Sequence, residues 1–297
     1  PILIQGHAIV KNLYSGINFI DTYHRQGLYP RNLPFICGQE GGGTIVSIMP
    51  NDNDNDNATG DEQPEQQFQI GDRVVYSSLE TYAEFTLVPI KNLIAVPQDI
   101  DMKIALACMV QGLTAHYLIT SAHANLIQKE EWCLIYSVGS GTCQWAAQMA
   151  KIQGYKVIGT TSRNKLEQAK GANCDELIVL EEAAATATGK GYADYTSVDI
   201  VQKVMGITNG EGVKMIVDGV GKSTAEISLN CLARRGIFVS FGNASGAVEP
   251  FPLLRLSKKS AFVTRPKLLD YVSTREELLG RINEVFDWVR SGELKIG

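Results

Sequence analysis

The sequence contains few cysteines and few histidines, the residues from which most zinc sites and all disulfides are built. Six cysteines and four histidines are spread over 297 residues, and no two cysteines stand in a C-x-x-C pair. A disulfide framework or a structural zinc lobe needs such clustering. Several cysteines lie in apolar runs such as Trp132-Cys133-Leu134-Ile135. The spacing therefore predicts reduced thiols in the core of a cytoplasmic protein.

Long apolar runs and an excess of basic residues are absent as well. No stretch reaches the roughly 20 consecutive apolar residues of a membrane-spanning helix, so no membrane span is predicted. The 27 Lys and Arg residues against 32 Asp and Glu residues give a net charge of -5, which excludes a broad cationic surface for nucleic acid. Because the chain begins at Pro1 and not at methionine, a preceding targeting segment is left open.

Residues 1–101 are predicted to form a β-rich domain. Short runs of β-branched and aromatic residues alternate there with turn signals such as Gly71-Asp72. A polar low-complexity stretch, residues 50–67, contains Asn51-Asp52-Asn53-Asp54 and is predicted to be a solvated insertion between two strands. The predicted strands are residues 8–14, 43–48, 73–77, 82–88 and 93–96.

Residues 102–265 change to apolar strands alternating with amphipathic helices, the pattern of a parallel sheet covered on both faces. Six such strands match a doubly wound dinucleotide-binding fold. The last segment, residues 266–297, is predicted to return towards the first domain and to carry a long helix, because Thr274 and Glu277 form a capping box ahead of it. The strand candidates are residues 132–138, 156–160, 176–180, 214–217, 236–241 and 261–264.

A glycine-containing turn follows the first strand of the second domain. The strand runs into Gly139-Ser140-Gly141-Thr142-Cys143-Gln144, and a helical pattern begins at once. Backbone N–H groups and the positive helix end at such a turn bind a pyrophosphate. Gln144 stands where the motif G-x-G-x-x-G has its third glycine. Within the six-strand pattern the turn predicts dinucleotide binding, and a tight turn without a ligand is the alternative.

The end of the second strand indicates which dinucleotide binds. A site for NAD usually has an acid about 20 residues beyond the glycines, whereas Thr160-Thr161-Ser162-Arg163-Asn164-Lys165 has none. Hydroxyls and cations suit the 2′-phosphate of NADP. The alternative is that Arg163 and Lys165 are solvated residues at a helix start, although cations there oppose the helix dipole. The sequence therefore favours NADPH.

Motifs along nearly the whole chain then resemble one family. They are Ile17-Asn18-Phe19-Ile20-Asp21-Thr22-Tyr23, Gly71-Asp72-Arg73-Val74, Gln111-Gly112-Leu113-Thr114-Ala115, Asn209-Gly210-Glu211-Gly212-Val213, Phe241-Gly242-Asn243-Ala244-Ser245-Gly246 and Thr264-Arg265-Pro266. Together they resemble the quinone oxidoreductase (zeta-crystallin-like) branch of the medium-chain dehydrogenase/reductase superfamily.

The resemblance implies an α/β protein with a GroES-like domain, a Rossmann domain and an active site in the cleft between them. It implies NADPH-dependent reduction of quinones such as 1,2-naphthoquinone by a homodimer. It places the polar side chains of the quinone site at Asn18 and Tyr23, for which a turn-closing role and a packing role are the respective alternatives. It carries the cofactor contacts onto Phe19, Asp21, Thr22, Tyr23, Thr114, Gly139, Ser140, Gly141, Thr142, Ser162, Lys165, Phe241, Gly242, Asn243, Phe262, Val263 and Thr264.

The sequence departs from that branch in several places. The branch has Ala-Ala-Ala-Gly-Gly-Val-Gly at the turn where this chain has Val138-Gly139-Ser140-Gly141-Thr142-Cys143, so weaker cofactor binding is expected. Extra residues at 183–195 interrupt the connection after the third strand, and no substitute for the family's adenine-stacking tyrosine is found near Leu180. The family's first strand and last segment have no counterpart in this sequence.

Zinc alcohol dehydrogenases share this architecture, and they need three ligands drawn from Cys, His and carboxylate side chains. At the corresponding positions this chain has Ser15-Gly16-Ile17-Asn18 and Gly38-Gln39-Glu40. The amide of Gln39 does not replace an imidazole as a zinc ligand, and Cys37 is interpreted as a small apolar residue. The sequence therefore predicts no metal.

Without a metal, the task of the protein is to hold the nicotinamide about 3–3.5 Å from an electron-poor acceptor. Asn18 and Tyr23 are candidate donors to the oxyanion that develops. A second hypothesis is an enal or enoyl reductase acting on a C=C bond. A third is a structural or RNA-binding protein with weak catalysis, in which Arg255, Lys258 and Lys259 contact phosphate; a solvated surface cluster is the alternative for these three.

Overall fold

The protein, described here from a computed structural model, folds into two compact units. The structure describes residues 1–50, 67–182 and 193–295. One unit comprises Pro1–Gln111 and Thr274–Phe286, and the other comprises Gly112–Ser273 and Asp287–Gly297. Most of the predicted insertion (50–67) and of the extra segment (183–195) lies outside the described residues.

The first unit is built on an antiparallel sheet of five strands in the order β4-β1-β2-β3-β5. Side chains from its strands, among them Val10, Ile45 and Tyr76, form a core in which each is fully buried. The helix α1 (Phe19–Arg25) follows β1, and α2 (Met102–Ala107) follows β5 and continues into a π-helical turn (Cys108–Gly112). The strands are β1 (His7–Ser15), β2 (Glu40–Met49), β3 (Arg73–Ser77), β4 (Phe85–Pro89) and β5 (Leu93–Ala95).

Consecutive glycines let β2 pack closely between its two neighbours. A Cβ added at Gly43 would lie 2.0 Å from the carbonyl oxygen of Lys11 in β1. A Cβ at Gly41 would lie 2.5 Å from the Tyr76 hydroxyl, which belongs to β3. Since neither contact leaves room for a side chain, the glycines are required by the packing of the sheet.

The second unit is a parallel sheet of six strands in the order β11-β10-β9-β6-β7-β8. Apolar residues on its strands, such as Leu134, Ile158 and Phe238, are buried on the sheet. Strand order reverses between β6 and β9, which is the doubly wound arrangement that the sequence predicted. The strands are β6 (Trp132–Ile135), β7 (Lys156–Ser162), β8 (Glu176–Leu180), β9 (Val213–Asp218), β10 (Leu232–Ser240) and β11 (Phe262–Thr264). The helices are α3 (Leu113–Thr120), α4 (Gly141–Ile152), α5 (Leu166–Lys170), α6 (Ile200–Ile207) and α7 (Ala225–Cys231).

The last helix, α8 (Arg275–Ser291), begins at the predicted capping box. The backbone N–H of Thr274 donates to Glu277 Oε2 at 3.2 Å, and the N–H of Glu277 donates to Thr274 Oγ1 at 3.1 Å. These two bonds satisfy N–H groups that have no partner inside the helix.

One helical segment among the described residues, Met102–Thr120, is long and apolar enough to cross a membrane by length and composition. Lys103, Gln111 and His116 interrupt its apolar run, so no continuous apolar stretch marks it in the sequence. In the structure 67% of its most apolar window is buried inside the protein. A core helix of a soluble protein has the same property, so the helix is weak evidence for a membrane span.

Candidate active site

The turn between β6 and α4 leaves the start of the helix accessible. Ser140 is the N-cap residue, but its hydroxyl donates to the carbonyl of Ser137 at 2.7 Å and makes no capping bond to α4. Gly141 is exposed, and Ser140 and Thr142 are half-buried. The first turn of α4 therefore offers an anion its N–H groups and the positive end of the helix dipole.

Gly139 holds this turn against the residues at the end of β7. A Cβ at Gly139 would lie 2.8 Å from Lys165 Cβ, 2.9 Å from the Lys165 carbonyl oxygen and 3.0 Å from Thr161 Oγ1. Glycine is needed here because the protein's own backbone approaches, a reason that the sequence analysis did not consider. As a result, the turn and the predicted phosphate-binding segment lie side by side.

The two basic residues of that segment have different surroundings. Arg163 forms an ion pair with Glu181, through Nη2 to Oε1 and through Nε to Oε2 at 3.1 Å, and the two side chains are 65% and 57% exposed. Lys165 is exposed, and among residues 1–50, 67–182 and 193–295 no acid pairs with it. Ser162 is half-buried at the end of β7. Lys165 is thus the more available cation for a phosphate.

The two residues that depart from the usual glycine turn are both buried. The side-chain amide of Gln144 donates to the carbonyl of Gln168 in α5 at 2.8 Å, so a side chain links α4 to α5 at the position of the third glycine. Burial raises the pKa of the Cys143 thiol to about 12. Cys143 therefore remains a neutral thiol, within the altered turn for which weaker cofactor binding was expected.

Asp218, at the end of β9, is a structural residue of this region that the sequence analysis missed. It is fully buried, and its carboxylate accepts bonds from the N–H of Val220 (2.7 Å), the N–H of Gly221 (3.1 Å) and the hydroxyl of Thr224 (2.7 Å). Its backbone carbonyl accepts a bond from Phe241 N–H at 2.8 Å. An acid at the end of an apolar strand, followed by glycines, was the available signal. Asp218 thereby holds the turn after β9 to the turn after β10.

The predicted cofactor residues of β10 and β11 lie at the same edge of the sheet. Thr264 pairs with Val239, and Arg265 Nη1 donates to the carbonyls of Ser240 (3.1 Å) and Gly242 (3.0 Å). Arg265 was seen only as part of the Thr-Arg-Pro motif, and the structure shows that it supports the backbone at Gly242. The other predicted residues here are Phe241 and Asn243, both half-buried, and Phe262 and Val263, 44% and 39% exposed, while Thr114 is half-buried in α3.

In the first unit, Asn18 and Asp21 lie in one network at the start of α1. Asn18 is the N-cap residue, and its backbone N–H donates to Asp21 Oδ2 at 3.0 Å. Asp21 is 8% exposed and also accepts bonds from the N–H of Gly38 (3.2 Å) and the hydroxyl of Tyr82 (2.8 Å). Three donors from separate segments therefore hold the Asp21 carboxylate in place.

The side chain of Asn18 is held by Glu40, the second residue that the sequence analysis missed. Asn18 Nδ2 donates to Glu40 Oε1 at 2.7 Å, and the N–H of Val110 donates to Glu40 Oε2 at 2.8 Å. Glu40 is 1% exposed, and burial raises the pKa of its carboxyl to about 7, with a smaller contribution from the charge of Asp21. In the sequence Glu40 stood out only as the last residue of Gly38-Gln39-Glu40, at a position where zinc enzymes have Gly-His-Glu.

The remaining predicted residues of α1 make local contacts. The hydroxyl of Thr22 donates to the carbonyl of Phe19 at 2.6 Å, and the Phe19 side chain is 56% exposed. Tyr23 is 8% exposed, and its ring meets Tyr29 edge-on at 5.3 Å. The ring of Tyr23 therefore packs inside the first unit, and its role towards a substrate stays a prediction.

The residues at the zinc-ligand positions do not fit a zinc ion. The hydroxyl of Ser15 donates to the carbonyl of Thr81, and Asn18 is hydrogen-bonded to Glu40. Across the described parts of the chain, no group of three or more His, Cys, Asp or Glu side chains is arranged to hold a metal. The side chains at these positions therefore bind one another and the backbone, and they do not form a zinc-binding set.

Comparisons with known proteins agree with this architecture. Residues 4–131 match the family model of the alcohol dehydrogenase GroES-like domain, and residues 141–268 match that of the zinc-binding dehydrogenases. A quinone oxidoreductase of Pseudomonas aeruginosa is 36% identical over 292 residues, 97% of this chain and 81% of that protein. A 2-haloacrylate reductase of a Burkholderia species is 31% identical over 97% of this chain and 81% of its own length.

A solved structure extends the likeness to the fold. The quinone oxidoreductase of Escherichia coli in complex with NADPH superimposes with a TM-score of 0.85 at 34% identity, covering 100% of this chain and 84% of that one. A GroES-like unit followed by a Rossmann unit defines an oxidoreductase of the medium-chain dehydrogenase/reductase superfamily. Within that superfamily, the chain belongs to the quinone oxidoreductase branch.

The comparisons confirm the predicted family, the fold class and the assignment as an enzyme. The cofactor named in the solved relative is the NADPH that the sequence predicted. The individual site residues stay predictions, now with the surroundings described above.

Proposed function

We propose that this protein is an NADPH-dependent quinone reductase that works without a metal. The observation that carries the proposal is the accessible start of α4 beside Lys165, in a chain of the quinone oxidoreductase branch. Helix N-termini with small residues bind pyrophosphate, and an adjacent ammonium group suits a 2′-phosphate. These features support the proposal that the second unit binds the phosphates of NADPH.

The residues present fit the cofactor. The N–H groups at Gly141 and Thr142 would hold the pyrophosphate, and Ser162 and Lys165 would hold the 2′-phosphate. Phe241, Gly242 and Asn243, held by Asp218 and Arg265, would contact the nicotinamide half. When bound, NADPH supplies the hydride. The protein binds it, orients it and excludes water.

The substrate side is proposed to lie at the start of α1. A quinone is already electron-poor, so its reduction needs orientation and hydrogen-bond donors more than a Lewis acid. The carboxamide of Asn18 is a neutral donor in a partly buried network. A donor placed where negative charge develops stabilises the transition state. Tyr23 stays a second candidate donor.

A reductase of an activated C=C bond is the second candidate function. The relative of this chain from a Burkholderia species is a 2-haloacrylate reductase, at 31% identity over nearly the whole chain. The cofactor chemistry is shared between the two reactions, since both add a hydride to an electron-poor carbon or oxygen. The comparison therefore favours testing acrylates and enals beside quinones.

The proposed function is tested by NADPH oxidation with 1,2-naphthoquinone, 2-chloroacrylate and an enal as acceptors, with and without a chelator. We expect quinone-dependent oxidation that the chelator does not change, and a preference for NADPH over NADH. Calorimetric titration with each nucleotide measures binding independently of turnover. Binding of NADPH together with activity on the acrylate alone would favour the second candidate. Absence of NADPH binding contradicts both.

The structure does not favour the RNA-binding hypothesis. Arg255 forms an ion pair with Glu226, and Lys259 donates to the carbonyl of Asn230 at 2.8 Å. Of the three cations considered for phosphate, two are therefore engaged by the protein itself. A homodimer and a cytoplasmic location stay proposals, and light scattering of the purified protein measures the first.

A further inference from the structure

Glu40 is a buried carboxyl group whose two oxygens have unlike partners. Oε1 accepts from the Asn18 side chain at 2.7 Å, and Oε2 accepts from the backbone of Val110 at 2.8 Å. A Cβ at Gly16 would lie 2.0 Å from Oε1, so the carboxyl group is seated against a glycine. No lysine or arginine among the described residues pairs with it. The site is thus closely built around an acid without a counter-ion.

The two hydrogen-bond partners of Glu40 differ, because the Asn18 carboxamide is able to turn over and the Val110 backbone N–H is not. The N–H of Val110 belongs to the π-helical turn Cys108–Gly112, a geometry that frees backbone groups and is frequent at functional sites. A backbone N–H only donates, so Oε2 stays an acceptor in every protonation state. A proton bound by Glu40 must therefore lie on Oε1, facing Asn18. The carboxamide of Asn18 then has to turn over and present Oδ1.

We propose that Glu40 is a positioning residue for the reaction: it sets which end of the Asn18 carboxamide faces the substrate, and uptake of a proton by Glu40 turns that amide over. The proposal rests on the proposed function. In the charged state, Asn18 Nδ2 is bound to Glu40 and Oδ1 faces away from it. In the neutral state, Glu40 donates to Oδ1, and Nδ2 becomes free to donate to a quinone oxygen.

The groups that face Glu40 allow this exchange near neutral pH. Burial raises the pKa of Glu40 to about 7, and the charge of Asp21 acts in the same direction. Burial also raises the pKa of the Cys108 thiol, and burial with the nearby Asp21 raises that of the Tyr82 hydroxyl. Both of those groups stay neutral between pH 6 and pH 8.5, the range of the test, since their ordinary values are already about 8.5 and 10. Over that range Glu40 is the group of this set that changes charge.

The first test is kinetic. We expect kcat/KM for 1,2-naphthoquinone to fall roughly tenfold as pH rises through about 7, the size of one hydrogen bond to a developing charge. Glu40→Gln mimics the neutral acid, because its amide donates to Oδ1 while its oxygen accepts from Val110. This variant is expected to keep the low-pH rate up to pH 8.5. Glu84→Gln removes an exposed acid of the same unit and is expected to retain the wild-type profile.

A coupling test separates positioning of Asn18 from a general structural role. In an Asn18→Ala background, Glu40→Gln is expected to have no further effect on kcat/KM at any pH, because the proposed route runs through the amide. If Glu40→Gln changes the rate equally in both backgrounds, the proposal is overturned. A wild-type pH profile that persists in Glu40→Gln overturns it as well.

A third test, by NMR spectroscopy, does not depend on turnover. The side-chain NH2 signals of Asn18, identified by their loss in Asn18→Ala, are expected to shift with a midpoint near pH 7 in ¹⁵N-labelled protein. The shift should be absent in Glu40→Gln. If no quinone is reduced but the signals titrate, the proposed function fails while the amide switch stands. Signals that do not titrate between pH 6 and pH 8.5 overturn the switch whatever the activity, and this measurement needs only the wild type and Asn18→Ala.

Discussion

Arg163 and Lys165 lie two residues apart, yet they differ in how available their charged groups are to a phosphate. Arg163 forms an ion pair with Glu181, whereas Lys165 is exposed beside the glycine turn. An exposed ion pair contributes little stability, but it competes with any ligand for the same guanidinium. At the residue scale, selectivity for NADPH is therefore expected to depend mainly on Lys165.

Replacing Lys165 by alanine is expected to raise the Kd for NADPH by roughly tenfold or more, because a charged hydrogen bond to phosphate is lost. The Kd for NADH should hardly change, since NADH lacks the 2′-phosphate. Isothermal titration calorimetry measures both. Lys170→Ala is the matched control, because Lys170 is exposed and paired with Glu167 in α5. An equal loss for the two nucleotides contradicts the assignment of Lys165.

Removing Glu181, the acid that competes for Arg163, should strengthen NADPH binding. Glu181→Gln releases Arg163, so NADPH is expected to bind about two- to fivefold more tightly, the range of a surface ion pair. The gain should disappear in the double variant Glu181→Gln/Arg163→Ala. Calorimetry with NADPH checks both variants. A gain that survives in the double variant shows that Arg163 is not the group released.

Glu40 also links stability to pH. Burial raises its pKa from 4.5 to about 7, so between these values the folded protein holds a proton that the unfolded chain has lost. The contribution of Glu40 to stability is therefore fully present below about pH 4.5 and decreases until about pH 7, by about 3 kcal/mol.

Glu40→Gln does not ionise and is expected to escape this decrease. The difference in unfolding free energy between variant and wild type should shift in favour of the variant by about 3 kcal/mol between pH 4.5 and pH 7.5. Urea denaturation at several pH values measures it, with Glu84→Gln as the control. A difference that is constant with pH would show that Glu40 keeps an ordinary pKa.

At the scale of single elements, local signals decided where helices and strands form. The Thr274–Glu277 capping box marks the start of α8, and the glycines of β2 allow the neighbouring strands to pack closely. The turn before α4 differs, because its accessible helix start has no side-chain cap from Ser140. An element that keeps its first turn uncapped loses some stability, and it gains a place for an anion.

Thr274→Ala is expected to lower the unfolding free energy by about 1 kcal/mol, because the bond from the Glu277 N–H to the Thr274 hydroxyl at the start of α8 is lost. Thr274→Ser keeps the hydroxyl and should stay close to the wild type. Urea unfolding followed by circular dichroism distinguishes the variants. Equal stability of the alanine and serine variants means that the box contributes nothing measurable.

For the whole molecule, the two units carry different parts of the proposed chemistry. The second unit has the nucleotide-binding sheet edge, and the first has the Asn18–Glu40 network. Among the described residues, neither the sheet edge of the second unit nor the Asn18–Glu40 network contains the ligand set of a zinc site. The proposed function accordingly predicts a reaction that depends on NADPH and not on a metal.

NADPH at 100 times its Kd is expected to stabilise the folded protein by about 2.7 kcal/mol through mass action. The resulting rise in Tm, measured by differential scanning fluorimetry, should be unchanged after dialysis against a chelator. NADH at the same concentration should produce a smaller rise. A fall in Tm after chelation, restored by zinc, contradicts the metal-free assignment.

Much of the fold was predictable because each signal is local. Alternating apolar residues marked β3 at its observed bounds, and the run into Gly139-Ser140-Gly141 placed the helix start within one residue. Glu40 was not predictable in the same way. Its partners Asn18 and Val110 are 22 and 70 residues away in sequence, and no periodicity encodes which side chain meets a π-helical turn.

The sequence by itself indicated the alternation of strands and helices in the second unit and the choice of NADPH, because periodicity, turn residues and the lack of an acid after β7 are properties of adjacent residues. The family was indicated by the resemblance of motifs such as Phe241-Gly242-Asn243-Ala244-Ser245-Gly246. Only the tertiary structure decided which cation is available to a phosphate, why Gly139 is a glycine and what holds Asn18. Those answers depend on burial and on hydrogen bonds between distant segments, which exist only once the chain has folded.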